Sequence, residues 1–161
     1  MRSRFLPEGR LLHTPENEAA CASCDGLRRA MEEETVLEGV AQLCDGAHNL
    51  LVSVGPFTGF LPREEAALGI AEGTTREIAI LSRVGKPVCF QITALEESGG
   101  VLRPRLSRRR AQQAALDAML AGLHPGCILP AVVTHLESFG AFVDIGSGVL
   151  RPGAQQLPDA Q

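Results

Sequence analysis

Apolar residues recur along this chain with two different periods, and the places where the period changes mark its elements. Thr14-Pro15-Glu16 sets an N-cap residue before a proline at the first helical position, so a short helix starts there and runs into an Ala- and Cys-containing stretch. Asp25-Gly26 should interrupt it. Leu27 to Glu33 reads as a second helical piece with Arg28 and Arg29 early and Glu32, Glu33 and Glu34 late. That order opposes the helix dipole, so the piece should be short or frayed. From Thr35 the period shortens. Val36 to Cys44 and Asn49 to Val54 read as strands on either side of Asp45-Gly46-Ala47-His48, a turn-rich stretch of hairpin length. Leu50, Val52 and Val54 form one apolar face, alternating with Leu51 and Ser53. Phe57 to Pro62 predicts a short edge strand ending in a turn. After an interrupted helical stretch around Arg63 to Leu81, the strand period returns in Val88, Phe90, Ile92 and Ala94, and Val101 to Ser107 completes a fifth strand. A helix from about Arg109 to Leu123 follows, with Ala111, Ala115, Leu116, Met119, Leu120 and Leu123 as its apolar stripe, and His124-Pro125-Gly126 stops it.

Five short strands with one helical insertion after the third is the order expected of the small oligonucleotide-binding barrel. The predicted class is therefore mainly β with α: a five-stranded antiparallel barrel, preceded by N-terminal helices. A repeat extends this picture. Val40-Ala41-Gln42-Leu43-Cys44 aligns with Val133-Thr134-His135-Leu136-Glu137, and Leu50 to Gly55 aligns with Ala141 to Gly146, two extra residues in the first hairpin separating the offsets. The predicted organisation is a helical extension over 1–33, a first barrel over 34–110, a linker helix over 111–124 and a second, incomplete barrel over 125–161.

Composition adds two constraints. At 161 residues and 45% hydrophobic the chain can bury a core, but only 4% is aromatic, with no Trp or Tyr, so each of six Phe must serve as core or contact surface. The formal net charge of −4 argues against a polyanionic partner until its distribution is considered. Arg76 to Arg110 holds eight basic residues (Arg76, Arg83, Lys86, Arg103, Arg105, Arg108, Arg109 and Arg110) against three acidic ones, while the rest is strongly acidic. Such asymmetry suits a local anion-binding face, or simply a solvated Arg-rich helix start. Five cysteines, an odd count, and no apolar leader in Met-Arg-Ser-Arg-Phe-Leu-Pro-Glu predict a reducing, cytoplasmic setting. No run of eighteen apolar residues is present, so no membrane-spanning segment is expected.

In the second copy Ala141, Val143 and Ile145 alternate with Phe142 and Asp144, which sets Phe142 on the carboxylate's side of the strand, away from the core set. Phe139 precedes it in Ser138-Phe139-Gly140. Two rings on one barrel face beside basic residues would make a stacking platform for unpaired bases; their bland alternative is to cover a gap left by the linker helix. Gly126 to Gly146, with its Val-Thr-His-Leu-Glu-Ser-Phe-Gly-Ala-Phe-Val run, resembles the opening hairpin of the S-one RNA-binding domain. Gly59-Phe60-Leu61-Pro62 and Leu106-Ser107-Arg108-Arg109 resemble its third and closing strands, and the chain from Leu6-Pro7-Glu8-Gly9-Arg10-Leu11 onward is similar to bacterial homologues of ribosomal protein S-one. The resemblance implies a five-stranded barrel, no catalysis, and RNA held by hairpin aromatics, a third-strand His and a closing-strand basic residue. It assigns Phe139 and Phe142 as aromatic contacts and Arg108 or Arg109 as the first unit's basic contact. His135 and His48 in the hairpins, with Lys86, Arg103 and Arg105 from the basic run, complete the candidate set. Single-stranded RNA, mRNA in particular, is the expected partner, and the small ribosomal subunit a second.

The first copy departs from the family pattern: His48 and Leu51 hold its aromatic positions and Pro62 the third-strand His position. It keeps the fold and loses most of the stacking surface, leaving its arginines to track phosphate or its surface to dock on protein. In the second copy the likeness stops near Val149, with no strand alternation beyond, and half a barrel cannot close. The expectation is a truncated chain or a reading frame altered near residue 150, with the leftover hairpin packed on the first unit or self-associating through an exposed edge. Cys21-Ala22-Ser23-Cys24 with Cys44 and His48 has a zinc-like spacing split between a helical segment and a turn, which is weak grounds for a metal. His13, His48, His124 and His135 are scattered and no phosphate loop or Ser elbow occurs, so neither catalysis nor a cofactor is expected. The rival is a non-catalytic module that anchors to protein.

Overall fold

The computed structural model describes residues 6–122, 132–137, 140–144, 147 and 150–152, and the side chains of 6–121, 144 and 147. Two helices open it. In α1 (Pro15–Cys21) the Thr14 hydroxyl accepts the Asn17 amide, the cap that the Thr-Pro pair predicts. The break before α2 (Cys24–Glu32) falls at Ala22-Ser23, earlier than expected, with Ser23 capping the Gly26 amide. Gly26 is therefore inside the first turn of α2. A Cβ there would press on the Ala19 and Ala20 carbonyls, which explains a glycine within a helix.

Strands β1 (Leu37–Cys44), β2 (Leu50–Val54), β3 (Phe57–Leu61), β4 (Pro87–Ser98) and β5 (Val101–Ser107) form a closed ring in the order β1-β2-β3-β5-β4. The alternation of apolar residues sends Leu37, Ala41, Leu50, Val52, Val54, Leu61, Val88, Phe90, Ile92 and Leu106 inward, all fully or almost fully buried. The ring is not wholly antiparallel as predicted: β3 and β5 pair in parallel through Phe60 and Arg105, so the sheet is mixed. Their parallel run is possible because the chain crosses between them through residues 62–86 and the β4–β5 hairpin. That crossover contains only a 3-10 turn (Arg63–Glu65) and the single-turn α3 (Ile78–Leu81) between turns.

Helix α4 (Arg108–Gly122) begins directly at the end of β5, where the Ser107 hydroxyl accepts the Arg110 amide as a cap. Ala111, Ala115 and Met119 are its buried stripe, whereas Leu120, predicted to join it, is 66% exposed. Arg108 and Arg109 thus belong to a helix start and not to the closing strand. Beyond it β6 (Val132–Glu137), β7 (Gly140–Asp144) and β8 (Leu150–Pro152) make a three-stranded antiparallel sheet. A third strand past Val149 is one the sequence did not predict.

The two hairpins share a bulge. Ala41 pairs with Val52 and Leu43 with Leu51 around it, as Val133 pairs with Val143 and His135 with Phe142. Val133 is therefore the counterpart of Ala41, one residue from the sequence alignment with Val40, and His135–Phe142 stands where the first unit has Leu43–Leu51.

Candidate nucleic-acid interface

On the outside of the ring the strand pairing sets Leu43, Leu51, Phe60 and Arg105 side by side across β1, β2, β3 and β5. Parity puts them there, since the neighbouring Leu50, Leu61 and Leu106 fill the interior. Leu43 is 54% exposed and Leu51 and Phe60 are half-buried. The Arg105 guanidinium carbon lies 5.3 Å from the Phe60 ring centroid, a cation–π contact on an open face. Arg105 Nη1 also reaches Glu96 Oε1 at 3.3 Å, across to β4. Arg103 is exposed one pleat further along β5, opposite Glu96, and forms no ion pair among the described residues. The β4–β5 ribbon that presents these groups turns through Gly99-Gly100, both at positive φ (59° and 79°), as a tight two-residue hairpin requires.

Sequence reasoning left Phe60 out of the candidate set and read the first unit as having lost most of its stacking surface. The signal was available: in Phe57-Thr58-Gly59-Phe60-Leu61, Gly59 and Leu61 are buried, so Phe60 must face out. Gly59 is required because a Cβ would strike Leu106 Cδ1 at 2.6 Å.

Of the predicted site residues, Arg103 and Arg105 come together on this face. Lys86 is exposed at the entry to β4, its carbonyl accepting the Ala41 amide at 3.0 Å. His48 sits at φ 65° in the β1–β2 loop, which Asp45 organises by accepting the Ala47 and Asn49 amides, both at 2.9 Å. Its Nδ1 contacts Glu77, which also holds Arg63, so His48 is engaged with the crossover rather than simply solvated. Hydrogen bonds from Arg63 and His48 hold the Glu77 carboxyl below its ordinary range.

Arg108 is not a surface contact. Its side chain is 7% exposed and grips the Glu8 carboxylate with two hydrogen bonds, Nε to Oε2 at 2.8 Å and Nη2 to Oε1 at 2.6 Å, while Nη1 donates to the Ala66 carbonyl. Burial alone would raise the Glu8 carboxyl, but the Arg108 charge and hydrogen bonds, with Arg83 and the Cys89 amide, hold it at about 2. Glu8 in turn keeps Arg108 firmly cationic against its own burial. Arg109 is committed too, through Nε to Glu65 Oε2 at 2.9 Å. Arg83 lies 3.6 Å from Glu8. Much of the basic run therefore balances buried or half-buried carboxylates.

In the second sheet His135 and Phe142 are directly paired across β6 and β7; their side chains, and Phe139 altogether, lie outside the described residues. The zinc-like set does not converge: Cys21 is buried in the core, its thiol pushed up to about 11 by burial, while Cys24 is exposed on α2, and among the described residues no three potential ligands cluster.

Fold and surface together define a closed five-stranded β module with an aromatic and cationic row on its exterior. No protein-family model matches the chain, nor does any curated protein. Among solved structures, the solution structure of GSP13 from Bacillus subtilis is similar at 19% identity and a TM-score of 0.36, over 60% of this chain and 64% of that one, less than two thirds of its length. Among the described residues no helix is long and apolar enough to cross a membrane.

Proposed function

We propose that this chain is a non-catalytic, cytoplasmic binder of single-stranded RNA, with an oligonucleotide-binding barrel of the S-one type as its first unit. The supporting observation is the exterior row of Leu43, Leu51, Phe60 and Arg105, flanked by Arg103. Aromatic and guanidinium planes accept a base of any identity, apolar neighbours exclude water from the stack, and an unpaired arginine meets the backbone. The face on strands two and three is also where barrels of this type take oligonucleotides. His135 and Phe142 are paired at the corresponding position of the second hairpin. Messenger RNA is the substrate class in view, with the small ribosomal subunit as a partner suggested by the S-one likeness.

Fluorescence anisotropy with a short labelled unstructured RNA tests this. Binding should weaken with added salt, and Phe60→Ala should cost about 1–3 kcal/mol, roughly five- to a hundred-fold in Kd. A second reading, a protein-anchoring module, is favoured by one observation: Arg83, Arg105, Arg108 and Arg109 are all paired to carboxylates. Salt-independent binding, or indifference to Phe60→Ala, would decide for it.

A further inference from the structure

The exterior row ends in a shallow groove of about 210 Å³ lined by Phe60, Glu96, Arg103, Pro104 and Arg105. A single acid among cationic and aromatic groups is out of place in a surface meant only for phosphate. Its position is fixed from two sides. Strand pairing sets Glu96 opposite Arg103, and its Oε1 takes Arg105 Nη1, the guanidinium that also overlies Phe60. Glu96 Oε2 has no protein partner among the described residues, and the side chain is 56% exposed.

A base stacked on the Phe60 and Arg105 planes would turn an edge toward that carboxylate. An ionised carboxylate only accepts hydrogen bonds. Uracil offers one N–H flanked by two carbonyl oxygens, and each of those repels it. Cytosine and adenine each offer an amino group beside a ring acceptor. Guanine alone offers two adjacent donors, N1–H and the exocyclic amine, at the spacing of two carboxylate oxygens.

Resting on the RNA-binding reading, we propose that Glu96 is a specificity-determining residue that makes this platform prefer guanine and disfavour uracil. The two arginines supply affinity for any strand, and the acid between them converts the stack into a reader of the base edge. Arg105 orients the carboxylate through its hydrogen bond to Oε1.

The test uses labelled oligouridines of about ten nucleotides, matched to the span of one barrel, carrying a single central U, C, A or G. With the full chain, the G oligomer should bind about five-fold more tightly than the all-U one. Glu96→Gln, whose amide still accepts from Arg105 but also donates, should erase that preference and leave all-U binding as tight or tighter. A guanine preference that persists in Glu96→Gln, or equal binding of all four oligomers by a chain still sensitive to Phe60→Ala, overturns this inference and leaves the RNA-binding reading intact. Failure of every oligomer to bind, or binding insensitive to Phe60→Ala, overturns that reading and the inference with it.

Discussion

Glu38 shows how one residue sets a pH response. It points outward from β1 but is 1% exposed, because the N-terminal segment covers it: its Oε1 accepts the Gly9 amide at 2.8 Å, and Asn17 clasps its backbone on both sides. Burial pushes its carboxyl up to about 7, partly countered by the Gly9, Leu11 and Leu12 amides and reinforced by the nearby Glu8 charge. Folded chains therefore keep a proton that unfolded chains, with the ordinary value of 4.5, have lost. Stability from this group falls as pH rises from about 4.5 to 7, by up to about 3 kcal/mol. Glu8 acts in the other direction at lower pH: its contribution is complete above about 4.5 and is lost as pH falls toward 2. Urea unfolding midpoints should accordingly decline between pH 5 and 7, and Glu38→Gln should flatten that decline without altering the loss in acid; a slope unchanged by the substitution would assign the response elsewhere.

Among the elements, the hairpins were the most legible and the ring closure the least. Period-two patterning located all five strands of the ring because each has one buried face; Cys89 breaks the pattern only because the Glu8 segment and the Ser147 carbonyl cover the outer side of β4. The parallel contact of β3 with β5 depends on where a 25-residue crossover returns, for which no local signal exists. Phe60 is legible from parity alone, since it alternates with Gly59 and Leu61, whereas the family pattern places the aromatic positions at His48 and Leu51. Arg108 was misread for a different reason: its partner is Glu8, a hundred residues away, and a paired buried arginine looks in sequence like a solvated one. Element pairing also yields a prediction. A Cβ on Gly39 would collide with the Ser53 carbonyl and lie 3.0 Å from Val52 Cγ1, so Gly39→Ala must push β1 off β2. A cost of about 1–3 kcal/mol is expected in urea unfolding, against well under 1 for Gly46→Ala, whose added methyl meets nothing within 4 Å.

For the whole molecule, the decisive piece is the short segment from Leu6 to Gly9, which ties both sheets together. The Leu6 carbonyl accepts the Ser147 amide at 2.9 Å, the Glu8 amide donates to Asp144 Oδ2 at 2.8 Å, and the Glu8 carboxylate takes Arg108 and the Cys89 amide. Asp144 and Ser147 are 3% and 1% exposed, and Ser147 also accepts from the Cys89 thiol at 3.2 Å. Asp144, at the end of β7, and Ser147 thus meet the Leu6–Gly9 segment and Cys89 of β4 through a polar junction centred on Glu8. Such junctions contribute little net stability when intact but fail badly when one partner is lost, because the remaining charge stays buried. Glu8→Ala strands Arg108 in the interior and should cost about 3–5 kcal/mol, whereas Asp144→Ala takes away the acceptor of the Glu8 amide and a carboxylate that supports the Arg108 charge, and should cost about 1–3. The two also differ in reach. Asp144→Ala should raise hydrogen exchange at the Glu8 and Ser147 amides while leaving β1 to β5 protected, since the ring has its own core; Glu8→Ala should raise exchange at Cys89 and along the start of α4 as well. Loss of protection throughout the ring in Asp144→Ala would instead show that the first unit depends on the second sheet to fold.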